Sequence, residues 1–232
     1  MSKKRLFAQN GKMKKCKSTM DTQEVWVENY DIDRSSCYNA HLCAGKNCYV
    51  AKLEEVFPHY LPKLKSNKEL TKREDFVDLM CQDVAYTPRT KRNARKYKRI
   101  HSAGDFYDVT YFLKWCAIMR RNPDVHFYAY TKMVSLVKGV RDRFGLPENF
   151  TYIFSYGGKE DHLIDPTIDR HSFVFKDYDS IEPDYADASE NDLVAIDPRN
   201  HRIGLVYHAS KAWEKSGWQF VKRTYPAKSV AV

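Results

Sequence analysis

Cys37, Cys43 and Cys48 fall in the spacing C-x5-C-x4-C, three soft sulfur donors within a dozen residues. The intervening stretch is irregular, and a loop can wrap an ion or cluster where a helix presents a single face. Three thiolates suit a cuboidal iron–sulfur cluster, [4Fe–4S], with one iron left open; a fourth donor, His41, would instead close a tetrahedral zinc site. Reduced cysteines without metal are the plain alternative. Cys81 and Cys116 sit on apolar sides of helical segments and read as small core residues. Cys16, in a basic stretch, reads as an incidental exposed thiol.

The elements that must position these cysteines are legible in the hydrophobic pattern. QEVWVENY (residues 23–30) alternates as a half-buried strand does, so the cysteine loop follows a first strand. Helical spacing runs from Tyr49 to Phe57 and stops at Pro58, and a second helix is expected across Lys68–Gln82. The middle of the chain alternates strand and helix: KRIHSAGDF, DVTYFLKWCAIMRR, DVHFYAYTK, MVSLVKGVRDRF ending at Gly145, then NFTYIFSYGG. Parallel neighbours cannot be joined by tight turns, so this alternation predicts an α/β fold, either a partial β/α barrel or an open, mostly parallel sheet. HSFVFKD, DLVAI and RIGLVYH read as additional C-terminal strands, with DPRN offering a hairpin turn. Residues 1–22 are expected to form a basic flexible arm and 23–232 a single α/β domain.

In such sheets, ligands gather where the loops after the strands converge. Ser102, Ala103 and Gly104 form a small-residue turn that lets backbone amides approach a ligand, with Asp105 beside it, either facing the site or capping the next helix. Lys132, after Tyr130 and Thr131, can neutralise a carboxylate or phosphate. Ser155, Tyr156, Gly157 and Gly158 line the following loop. His101 and His126 read as satisfied core histidines. Asp161, His162, Asp165, Asp169 and His171 are spaced too irregularly for a metal loop and read as a solvated one.

Lys and Arg number 39 against 30 Asp and Glu, a net charge of +9. The excess lies in residues 3–17 and 89–99, which makes an anionic partner such as nucleic acid plausible beside the plainer reading of solvated tails. There is no apolar run of membrane-spanning length and no secretory leader pattern, so a cytoplasmic, reducing location is expected, that of the host cell if the chain is phage-encoded.

The order of these features resembles the radical S-adenosylmethionine enzymes, where a three-cysteine loop follows the first strand of a partial β/α barrel. The counterparts here are Cys37/Cys43/Cys48, SAGDF at 102–106, YTK at 130–132 and FSYGG at 154–158. The intervals are longer than the C-x3-C-x2-C of that family, and the aromatic residue, Tyr49, follows the last cysteine. A nearer resemblance is to the gene-product-eighty-eight family of small bacteriophage proteins, which shares C…C…CY, R-x-H-x-x-GDF and FYAYTK, over roughly residues 35–158. What the resemblance implies is a [4Fe–4S] cluster on Cys37, Cys43 and Cys48, with S-adenosylmethionine bound near Ser102, Gly104, Asp105, Lys132 and Ser155 and cleaved reductively to modify an unspecified substrate. The alternative is a non-catalytic, metal-stabilised protein that binds nucleic acid or a host protein.

Overall fold

The structure, a computed structural model, describes residues 5–44 and 48–207. Residues 1–4 of the basic segment and 208–232 of the expected domain lie outside the described residues. Seven strands form one curled, open, all-parallel sheet, a half-barrel. They are β1 (Val25–Tyr30), β2 (Arg95–Ile100), β3 (Val125–Thr131), β4 (Phe150–Ser155), β5 (His171–Phe175), β6 (Ala186–Asp187) and β7 (Arg202–Val206). The order across the sheet is β1-β2-β3-β4-β5-β7-β6.

Alternation sorts each strand between two faces. Phe127 and Ala129 of β3, in register with Phe150 and Tyr152 of β4, pack into the larger core. Its helical side comes from α5 (Val109–Arg120) and α6 (Val134–Phe144). Asp108 caps α5, its carboxylate accepting from Tyr111 N at 2.7 Å, and Tyr111, Phe112, Trp115, Cys116, Ile118 and Met119 are buried along it. α6 buries Val134, Val137 and Val140 and ends at Gly145, whose φ of +66° favours glycine.

The opposite, concave face is lined by Val27, Tyr97, Tyr128, Ile153 and Ile203. It is closed by α1 (Gly11–Lys15) and a short 3-10 helix, Asp192–Ile196, which contribute Met13, Leu193 and Ala195. Between them lies Asp192, fully buried, accepting from Lys12 Nζ at 2.6 Å, Arg99 at 2.7 Å and the Tyr128 hydroxyl at 3.0 Å. Burial alone would raise this carboxyl; the two cations outweigh it and pull its pKa down to about 2.

Several expectations are corrected. Residues 5–22 are no loose arm: Phe7 and Met13 are buried, Ala8 and Asn29 exchange backbone hydrogen bonds of 3.0 and 2.7 Å, and Phe7 N donates to Asp83 at 2.8 Å. Cys16 is buried, not exposed. DLVAI is the 3-10 helix, not a strand, because Asn191 caps Leu193 N and Asp192 must turn inward to Lys12 and Arg99. No hairpin follows: β7 runs parallel to both β5 and β6. The basic block at 89–99 is largely spent inside the fold, since Lys98 is buried against Glu28, Arg99 meets Asp192, and Lys91 and Arg95 pair with Glu24 and Asp21. Helix α2 (Tyr49–Val56) is as expected, whereas the single helix expected at 68–82 is two, α3 (Tyr60–Lys72) and α4 (Phe76–Val84). No helix of the described residues is long and apolar enough to cross a membrane.

Candidate metal and cofactor site

The loop after β1 is laid across the carboxyl ends of β2, β3 and β4, and side-chain-to-backbone hydrogen bonds hold it there. At its start, Asp31 Oδ1 accepts from Ser102 N at 2.6 Å and Ala103 N at 3.1 Å, and Ile32 N donates to Ala103 O at 3.1 Å. Ser36 follows, its hydroxyl donating to Asp33 O at 2.7 Å and accepting from Asp105 N at 3.0 Å. Gly104 sits between these contacts with φ +89°; a Cβ there would stand 2.5 Å from Ile32 Cγ1 and 2.9 Å from both Ile32 O and Ser36 Oγ. The glycine therefore admits the cysteine loop itself.

Beyond Cys37 the loop is fastened to the segment after β4. His41 N and Leu42 N donate to Gly157 O at 3.1 and 3.0 Å, Lys159 N donates to Asn39 O at 2.9 Å, and Lys159 Nζ reaches Tyr38 O at 2.8 Å. Asn39 Nδ2 donates to Lys132 O at 3.3 Å. At the far end of the loop, Tyr49 donates its hydroxyl to Ser102 O.

The expected site residues are thus brought together. Asp105 is buried and accepts from Phe106 N at 2.8 Å, the Thr131 hydroxyl at 2.6 Å and Lys132 N at 2.9 Å. It joins the end of β2 to the end of β3; the helix cap is Asp108. Burial raises its pKa above the ordinary carboxylate value, against the opposing pull of those donors and of the Lys132 ammonium. Lys132 Nζ donates to Ser155 Oγ at 2.8 Å, Ser155 O at 3.1 Å and Tyr156 O at 3.0 Å, joining β3 to β4. Ser102 holds its backbone to Asp31 and Tyr49, while its buried hydroxyl has no partner.

Cys37 is half-buried, as is Cys48; Cys43 is exposed. Burial pushes the Cys37 thiol well up, Asp105, Cys43 and Cys48 add to the rise, and Lys132 opposes it. Burial likewise raises Cys48, with Cys43 contributing and the N–H groups of Ala51 and Val50 opposing. Each of the three sulfurs thus lies within electrostatic reach of the other two, beside Asp105 and Lys132. Such surroundings penalise a bare thiolate and favour one neutralised by a cation. Among the described residues no group of three or more His, Cys, Asp or Glu is disposed to hold a metal ion. The zinc arrangement through Cys37, His41, Cys43 and Cys48 thus has no preformed tetrahedron.

The other candidates are absorbed by the fold. His101 donates from Nδ1 to Tyr30 O at 3.2 Å and accepts the Tyr111 hydroxyl at Nε2, 3.0 Å. His126 meets Thr151 Oγ1 at 2.9 Å. Asp161 accepts from Gly157 N and Gly158 N, Asp169 pairs with Lys138 at 2.6 Å, and His171 is buried. Sequence reasoning missed Asp31, Ser36 and Asn39, the residues that seat the loop. The available signal was the run of Asp, Ser and Asn flanking the first cysteine, types whose short polar side chains bond to nearby backbone.

The family model described as Gene product 88 matches residues 3–223. Over 103 residues the chain is 39% identical to the Gene 88 protein of Mycobacterium phage L5 and, over the same length, 36% identical to the Gene 88 protein of Mycobacterium phage D29. Each alignment spans 42% of this chain and 43% of the relative, less than half of the curated proteins it matches. No solved structure matches the chain.

Proposed function

The chain belongs to the Gene product 88 family, and we propose that it is an iron–sulfur protein whose cluster is held by Cys37, Cys43 and Cys48 in an arrangement like that of the radical S-adenosylmethionine enzymes. The observation that carries this reading is the mutual electrostatic reach of the three thiols over the carboxyl end of a parallel half-barrel. The donor set fits the group. A cuboidal cluster takes each thiolate on a different iron, so it accepts sulfurs set further apart than one zinc ion does.

When bound, a [4Fe–4S] cluster with an open iron supplies a low-potential electron and a coordination position for the amino and carboxylate groups of S-adenosylmethionine. The residues of the chain do the positioning. Asp31, Ser36 and Asn39 fix the loop, Gly104 lets it lie flat, and Asp105 and Lys132 lock the ends of β2, β3 and β4 beneath it. With three protein donors on Asp105 and three protein acceptors on Lys132, both act first as positioning residues. The unpartnered Ser102 hydroxyl is the polar atom left for a cofactor.

The test is metal and acid-labile sulfide analysis on protein purified without air. Brown protein with iron and sulfide, lost in Cys43→Ala while the fold is retained by circular dichroism, is the expected result. Release of 5′-deoxyadenosine on adding reductant and S-adenosylmethionine is the second expectation. Colourless protein with no iron or sulfide, or unchanged iron in Cys43→Ala, overturns the assignment.

A further inference from the structure

We propose that the amino end of the half-barrel is a docking surface for the phosphodiester backbone of nucleic acid, built from Lys14, Lys15 and Lys17 with Arg89 and Arg92. Most basic side chains of the chain are committed elsewhere, so the uncommitted ones stand out. Lys12 is drawn inward to Asp192, Lys98 to Glu28, Arg99 to Asp192, and Lys91 and Arg95 to Glu24 and Asp21. Lys14, Lys15, Lys17, Arg89 and Arg92 are exposed and form no ion pair among the described residues.

The fold fixes these five in place. Met13 and Cys16 are buried against the concave face, so Lys14, Lys15 and Lys17 are held outward on a ledge and not on a loose tail. The ledge borders a groove whose far side is Glu190 and Asn191, and Asn191 Nδ2 clamps Lys17 O at 2.9 Å. From there the chain passes the amino ends of two strands: Arg199, just before β7, donates to Thr19 O at 2.9 Å, and Asp21 pairs with Arg95, the first residue of β2. Gln23 Nε2 then donates to Asn93 O at 3.3 Å, beside Arg92. A pre-ordered row of cations loses little side-chain and backbone freedom on meeting regularly spaced phosphates. The cysteine loop lies at the other end of the strands, so this inference does not rest on the cluster.

The test is fluorescence anisotropy of the full chain with a labelled mixed-sequence DNA duplex, and separately with its single strand, between about 50 and 200 mM salt. Each phosphate contact contributes about 0.9 to the log–log salt slope on duplex and about 0.7 on a single strand. The triple variant Lys14→Ala/Lys15→Ala/Lys17→Ala should therefore flatten the slope by about 2 to 3 on whichever form binds, and Arg89→Ala/Arg92→Ala by a further 1 to 2, roughly. The control is Lys52→Ala/Lys63→Ala/Lys65→Ala, which removes the same charge from exposed positions on α2 and α3. Failure of the wild-type chain to bind either form overturns the proposal. So does an unchanged slope in the triple variant, or an equal loss in the control, which would reduce binding to net charge.

Discussion

His101 has the backbone conformation φ +65°, the one described non-glycine residue in the left-handed region, at the start of the turn that carries Ser102 to Asp105. Its ring explains why that conformation persists: Tyr30 O can only accept, so Nδ1 carries the proton and Nε2 takes the Tyr111 hydroxyl. Burial pushes its pKa down from 6.5 to about 3, with the Tyr30 carbonyl opposing and Arg99 adding to the fall. The unfolded chain therefore binds a proton between pH 6.5 and about 3 that the folded chain refuses, and stability falls on acidification through that window. The full difference is on the order of 4–5 kcal/mol. Urea midpoints measured across pH should show this limb, and His101→Asn, which tolerates the left-handed backbone, should flatten it. Asp192 is separable: with a pKa held at about 2 below an ordinary 3.8, its contribution is intact above pH 3.8 and disappears as the pH falls through about 2. That His101 is a satisfied core residue was readable from its place in a strand pattern. Its strained backbone was not, because nothing local distinguishes it; the constraint comes from Tyr30 and Tyr111.

At the scale of elements, the cysteine loop and the turn after β2 are one interlocked unit, and Gly104 is where they touch. Gly104→Ala adds a Cβ within 2.5 Å of Ile32 Cγ1 and forces an alanine to φ +89°. The expected cost is on the order of 2–4 kcal/mol, from overpacking and left-handed strain together. Thermal unfolding should register it, and under the proposed function iron content should fall with it. The sequence displayed the glycine as a place of close approach but not what approaches. Elements with strong apolar periodicity, β1 to β5 and the helices α5 and α6, were legible because one face of each is buried. α3 was not, because two of its three buried residues are polar. Asn67 accepts the Tyr30 hydroxyl at 2.7 Å and donates to Asp31 O at 2.8 Å, and Thr71 meets Tyr107. Hydrophobic spacing cannot reveal a helix that docks by hydrogen bonds.

For the molecule as a whole, the N-terminal segment is part of the closure of the half-barrel. Phe7 packs against Tyr30 and Trp115 on the helical side, at ring separations of 6.0 and 6.3 Å, and Lys98 Nζ lies 4.7 Å from its ring. Arg5 bridges Glu28 at 2.8 Å and Asp83 at 3.3 Å. A few residues on, Met13 plugs the concave side, so the segment crosses the open edge at β1 and shields it from pairing with another chain. Phe7→Ala should cost about 3–5 kcal/mol, a global destabilisation visible in denaturant midpoints. A local fraying that left the midpoint unchanged would contradict this account. Composition alone placed the segment outside the fold, since its few apolar residues are widely spaced among lysines; the packing that recruits them is set by residues far along the chain.

The fastening of Tyr38 O by Lys159 Nζ joins positions 121 residues apart. During synthesis the three sulfurs emerge early, yet the seat that arranges them is incomplete until the fourth strand and the glycines behind it have left the ribosome. Delivery of an inorganic centre must then be a late event in maturation, and a nascent chain stalled before that point would present its thiols unordered to any oxidant nearby.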